Sequence, residues 1–222
     1  MPDHNNIAQE NQKFRYRSRN LPHMFDVDKP IFITYRLKFT LPRAVIDTYA
    51  RQQEEWTRQL TELAAEEQQE MLKSKDSLFF AWFDALLAKS PDVPRLLHQD
   101  EIRNIITESF KRFEGVRYTL LAYSIMPNHV HVLILPKTQE DGKIFSLQHI
   151  VYTWKKFTAN TINKRLGRSG SLWQREVYDR LVRNENELNK VVDYILQNPV
   201  KAGLVNEWKE WPGNYLNEDV LG

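Results

Sequence analysis

The chain has 222 residues, 41% of them hydrophobic and 27% charged, which suffices for one sizeable core and argues against two independent ones. It contains no cysteine, so disulfide staples, thiolate zinc sites and thiol nucleophiles are excluded, and any metal must be held by nitrogen and oxygen. The formal net charge of +2 conceals an asymmetry: Gly115 to Val205 carries 13 Lys/Arg against 7 Asp/Glu, and the remainder is net acidic.

The first twenty residues, MPDHNNIAQENQKFRYRSRN, have no apolar core behind a positive start and so do not read as a secretory signal. Residues 1–29 read as a basic N-terminal arm. In it Arg15, Arg17 and Arg19 alternate with Phe14 and Tyr16, a composition suited to phosphate contacts and base stacking. Residues 30–222 read as a single domain with a helical insertion at about 43–98.

Pro30 to Phe39 is rich in β-branched and aromatic residues and predicts a first strand. Arg43 to Lys73 is rich in Glu and Gln, lacks Gly and Pro, and predicts a long solvated helix. A shorter apolar helix follows near Leu78 to Ala88, ended by the breakers in SPDVP. The next helix runs from about Gln99 to Phe113. Two strands, about Arg117 to Ile125 and His129 to Leu135, flank the tight connection MPN and predict a β-hairpin. Ser146 is placed to cap a basic helix reaching about Leu166. After the loop GRSGS, a fourth strand is expected near Tyr178 to Val182. Glu185 to Gln197 then predicts a helix stopped by Asn198 and Pro199.

The order β, α, β, β, α, β predicts an α+β fold of ferredoxin-like, RRM-like type. It implies an antiparallel sheet with helices on one face and the last helix as an addition. The only long uncharged stretch, Thr119 to Pro136, carries Pro, Asn and His where a membrane span would not, so a cytoplasmic protein with no membrane partner is expected.

Between Asp141 and Glu176 every ionised side chain is basic: Lys143, Lys155, Lys156, Lys164, Arg165, Arg168 and Arg175. A lone basic helix is usually just a solvated face, but seven cations without an intervening acid point to a polyanion such as nucleic acid.

His129 and His131 flank Val130 at the start of a predicted strand. With a period of two, both imidazoles leave one face and can converge on one divalent cation. Taken alone, an HxH pair is more often two histidines on a half-buried strand. Tyr118, Tyr123 and Tyr152 fall in core-like patterns, Tyr178 reads as a sheet residue, and pattern alone would also place Tyr194 in the core. Trp173 reads as an anchor for the GRSGS loop in preference to a DNA contact.

Three strings shift these readings: YSIMPNHVHVLI, LWQREVYDRLVRNENEL and VDYILQNPVKAGLV. In this order they resemble segments of the single-tyrosine HUH transposases (U denoting a hydrophobic residue), and especially the REP-associated tyrosine transposases. FRYRSRNLPH is similar to that branch as well. The resemblance spans about residues 14–40 and 99–212 and leaves the insertion unaccounted for.

The resemblance implies a metal-dependent enzyme that cuts and joins single-stranded DNA through a covalent 5′-phosphotyrosine intermediate. It implies that His129 and His131 hold the metal, Mg2+ or Mn2+, that Tyr194 is the nucleophile, and that Asn198 is the third ligand. It further implies hairpin-forming repetitive extragenic palindromes (REP) as the DNA, in a nucleoid-associated setting. Lys155, Lys156, Lys164, Arg165, Arg168 and Arg175 would then meet phosphates, and Arg15, Arg17 and Arg19 the hairpin foot or tag. Four residues apart on a helix, Tyr194 and Asn198 can share a face provided the final turn stays helical.

A domesticated DNA-hairpin-binding protein that no longer cuts is the alternative from another class. A zinc hydrolase built on HVH lacks a Glu-containing signature and leaves the basic run unexplained. The short GRSGS loop favours a monomer acting in cis, with a dimer as the alternative.

Overall fold

In the computed structural model the described residues are 29–38, 51, 58, 95–175 and 177–221. The N-terminal arm with Arg15, Arg17 and Arg19, Phe39, and the insertion helices other than positions 51 and 58 lie outside them. Every other described residue falls in one compact unit formed by residues 25–41 and 81–222.

The elements in chain order are β1 (Ile31–Arg36), α1 (Asp100–Lys111), β2 (Tyr118–Ile125), β3 (His129–Pro136), α2 (Leu147–Arg165), β4 (Tyr178–Leu181), α3 (Glu185–Lys201), β5 (Asn214–Leu216) and α4 (Glu218–Leu221). They build one antiparallel sheet in the order β4-β1-β3-β2-β5. Its first four positions are the ferredoxin-like order that the βαββαβ pattern predicts. The fifth strand was not expected: three residues are too short to show a period of two, and β5 is recognised only by its pairing with Ala122 to Ser124. Gly213 lets it approach, because a Cβ there would lie 2.5 Å from the Ile125 carbonyl oxygen.

Strand alternation divides the sheet into two faces. Ile31, Ile33 and Tyr35 of β1 and Val130, Val132 and Ile134 of β3 join the main core with residues of α1 and α2. On β2 a bulge at Leu121 resets the alternation, so that Tyr118 and Leu120 before it and Tyr123 and Ile125 after it all enter that core. The opposite face carries Phe32, Thr34, His129 and His131, and α3 covers it, packing against β2, β3 and β5. The main core is pinned by a polar relay: the buried Trp154 Nε1 donates to Tyr118 Oη at 2.8 Å, and that hydroxyl donates to the Phe110 carbonyl at 2.5 Å.

The Ser146 side chain accepts from the His149 N–H at 3.4 Å, as its N-cap position predicts. Trp173 is the loop anchor: it is buried, stands edge-on to Tyr35 at 4.8 Å, and donates from Nε1 to Thr158 Oγ1 at 2.8 Å. Tyr152 departs from expectation, since it lies on the outer side of α2, 56% exposed.

The end of α3 also differs from the sequence expectation. The helix does not stop at Asn198 and Pro199 but continues to Lys201 with Pro199 inside it. Proline removes a single donor here, and the closing bonds form beyond it: Leu204 N–H to the Pro199 carbonyl and Gly203 N–H to the Val200 carbonyl, both 2.9 Å. With Gly203 at φ +67 this is a Schellman closure, so the glycine and not the proline ends the helix.

Candidate active site on the α3 face of the sheet

The two-residue connection Pro127–Asn128 closes the β2–β3 hairpin with Met126 N–H donating to the His129 carbonyl at 2.9 Å. His129 and His131 leave β3 on the same face, and their Nε2 atoms lie 3.1 Å apart. Both are fully buried. From α3, Asn198 approaches with its side-chain nitrogen 3.2 Å from His131 Nε2. The half-buried Tyr194 ring stands edge-on to His131 at 5.7 Å between centroids. The four residues singled out in the sequence are therefore one cluster, and the helical last turn of α3 makes this so.

Two partners that sequence reasoning missed hold the imidazoles. His129 Nδ1 lies 2.5 Å from Asn128 Oδ1, an atom that only accepts, so Nδ1 carries the proton and Nε2 presents a lone pair. His131 Nδ1 lies 2.8 Å from Thr34 Oγ1, and the Asn198 amide facing its Nε2 is a donor, which likewise puts the proton on Nδ1. The β1–β3 register, with Thr34 opposite His131, is the signal that could have found Thr34, but it needs the strand pairing in hand. Phe32 was missed for the same reason. Its ring stacks on His131 at 5.7 Å and meets the edges of Tyr194 at 6.1 Å and Tyr178 at 6.3 Å.

Two bare imidazole nitrogens facing each other repel, and a shared cation relieves that repulsion. Nitrogen ligands about 2.1 Å from one ion and 3.1 Å apart subtend roughly 95°, near the right angle of six-coordinate ions. An outer carboxamide or hydroxyl on each Nδ1–H is the support that metal-binding histidines ordinarily have. Rotating the Asn198 amide would present Oδ1 as a third donor. Among the described residues no cluster of three or more His, Cys, Asp or Glu side chains is placed to share an ion. The donor set thus fits a divalent cation.

The competing tyrosines are placed otherwise. Burial pushes the phenols of Tyr35, Tyr118 and Tyr123 above their ordinary range, with Tyr118 adding to the shift of Tyr35, so all three are poor nucleophiles. Tyr178 pairs from β4 with Thr34 and stands edge-on to Phe32 at 6.3 Å. The first turn of α3 is fixed by Glu187, which accepts from the Arg183 N–H at 2.9 Å and pairs with Arg180 at 2.6 Å.

The cations of α2 do not gather at this cluster, because α2 lies on the other face of the sheet, and Arg15, Arg17 and Arg19 lie outside the described residues. Lys155 donates to the carbonyls of Gln174 (2.5 Å) and Arg175 (3.1 Å), which ties the 172–175 segment to α2. Arg165 forms a two-point pair with Glu101, with contacts of 2.6 and 3.1 Å. Lys156 lies over the Tyr152 ring at 5.6 Å, beside a groove of about 360 Å³ between α1 and α2 that Arg112 and Phe157 also line. Lys164, Arg168 and Arg175 are exposed.

Comparison with known proteins gives this cluster its context. Residues 95–198, which contain both histidines, Tyr194 and Asn198, match the family model described as Transposase IS200 like. A putative REP-associated tyrosine transposase of Haemophilus influenzae is 29% identical over 139 residues, covering 55% of this chain and 77% of that protein. The chain is similar to the REP-associated tyrosine transposases. A second relative, from Escherichia coli K12, is 29% identical over 107 residues, 46% of this chain and 57% of that protein. A solved structure of a REP-associated tyrosine transposase bound to a REP hairpin shares 18% identity at a TM-score of 0.47, covering 87% of this chain and 79% of that one. Among the described residues no helix is long and apolar enough to cross a membrane.

Proposed function

We propose that the protein is a transposase that cuts and rejoins single-stranded DNA at REP-like hairpins, with Tyr194 as nucleophile and a divalent cation, Mg2+ or Mn2+, held by His129, His131 and the Asn198 amide oxygen. The observation that carries this is the convergence of a half-buried phenol, two Nε2 lone pairs and an amide in one small volume, within a segment shared with named transposases. A cation bound there would polarise a scissile phosphate.

The protein's own residues supply the rest. Tyr194 stands edge-on to the stacked rings of Phe32 and His131, which restricts its ring to few orientations and favours in-line attack. Its phenolic oxygen forms the new bond to phosphorus while the P–O3′ bond breaks. The phenol proton leaves to solvent, and the departing 3′ oxygen takes one up as a hydroxyl. The ester energy is retained, so reversal rejoins a strand without a nucleotide cofactor. Because the imidazoles are fully buried beneath α3 side chains, a phosphate enters only as that cover yields.

The test uses single-stranded DNA carrying a REP-like hairpin and its flanking tag, with Mn2+ or Mg2+. A denaturant-resistant protein–DNA adduct is expected from the wild-type chain and none from Tyr194→Phe. Adduct formation by Tyr194→Phe would assign the nucleophile elsewhere, and tight binding without any adduct would favour a hairpin-binding protein that no longer cuts.

A further inference from the structure

Tyr194, Asn198 and Lys201 stand at i, i+4 and i+7 of α3, a spacing that places all three on one helix face. The Lys201 Nζ lies 5.2 Å from the centroid of the Tyr194 ring, over its face. Lys201 is exposed, and it forms no ion pair with any described residue.

A lysine in a last helical turn has a routine use, offsetting the partial negative charge of the terminal carbonyls. That use is served by reaching forward to those carbonyls. Lys201 instead folds back along the helix, two turns toward its start, and lays its ammonium over the phenol. The divalent ion proposed above would sit at the imidazoles and the amide, and Lys201 adds a positive charge of the protein's own on the phenol side of that volume. The phosphodiester that Tyr194 would attack is an anion, and an anion approached by a phenolic oxygen needs a countercharge beside the forming bond. A four-carbon stem with rotatable bonds lets Nζ move from the ring face to a phosphate oxygen at the hydroxyl end.

We propose that Lys201 is a second cation, beside the divalent ion, that holds the scissile phosphate against the Tyr194 hydroxyl. The proposal rests on the Tyr194 reading above and adds a substrate-contacting residue to it.

The test compares wild-type protein with Lys201→Gln and Lys201→Arg, measuring the single-turnover rate of adduct formation at saturating DNA together with DNA affinity and melting temperature. Lys201→Gln should slow adduct formation by roughly 10- to 100-fold while changing affinity by less than about threefold, because one exposed phosphate contact adds little to binding. Lys201→Arg should recover most of the rate, and neither variant should melt differently, since the side chain is exposed and pairs with no acid among the described residues. A Lys201→Gln rate within about twofold of wild type overturns the proposal, as does an arginine variant that is equally slow with a matching drop in melting temperature, which would assign Lys201 to the helix end. If the wild-type chain forms no adduct, the Tyr194 reading fails and this proposal with it. Adduct formation by wild type with an unaffected Lys201→Gln removes Lys201 alone.

Discussion

Replacing Thr34 by valine tests the metal reading through a residue that touches neither DNA nor ion. The Thr34 hydroxyl sits 2.8 Å from His131 Nδ1, with Thr34 only 3% exposed and His131 fully buried, so water cannot replace it. Valine keeps the shape and removes the acceptor. The imidazole then has two courses. If the proton stays on Nδ1, an unpaired buried N–H costs about 1–3 kcal/mol of folding stability. If it moves to Nε2, it points at His129 Nε2 3.1 Å away, stability is largely kept, and the lone pair offered to a cation is lost. Loss of such an outer partner ordinarily weakens metal binding by about 10- to 100-fold. Denaturant unfolding of the metal-free protein and titration with Mn2+ read the two courses separately, and one of them must register. A Thr34→Val protein with wild-type stability and wild-type Mn2+ affinity would refute the assignment of the proton to Nδ1, and with it the convergence of two lone pairs on one ion.

Two further outcomes follow from the geometry. Gly203→Ala meets no neighbour within 4 Å but forces alanine to φ +67, so it should cost about 1–2 kcal/mol and fray the turn that carries Asn198. Adduct formation should fall with little change in DNA affinity, and an unchanged rate would show that the Schellman closure does not position Asn198. Stability should also decline as pH rises past about 10, because the unfolded chain releases tyrosine protons that folded Tyr118 and Tyr35, raised by burial, retain. In denaturant midpoints measured between about pH 8 and 11, Tyr118→Phe should flatten that decline by up to about 1.4 kcal/mol per pH unit, and an unaltered slope would contradict the shift.

The strand and helix order was legible because each element of the sheet core carries its own signal. Ser146 marks the start of α2, MPN marks a hairpin, and β-branched residues mark β1. What escaped has no local signal. β5 exists through its partner strand and through a glycine that lets the backbones approach, and the Leu121 bulge is visible only against β3. The end of α3 was misplaced because Pro199 is a strong breaker in isolation. In the last turn it forfeits one bond, and the glycine four residues later supplies the actual stop.

The chemistry of the site was more legible than its surroundings for a related reason. His129 with His131, and Tyr194 with Asn198, are each pairs within one element, so the period of that element already puts them on a common face. The basic run has no such guarantee. Counting cations along α2 does not reveal that Lys155 is committed to carbonyls 19 and 20 residues ahead, or Arg165 to a glutamate 64 residues behind. Nor does it reveal that the helix lies on the sheet face away from the histidines, which follows from strand order. A cation that already donates to backbone carbonyls adds little to phosphate binding, so any polyanion contact on α2 falls to Lys156 and Lys164, whereas the positive charge beside the phenol comes from Lys201, a residue outside that run altogether.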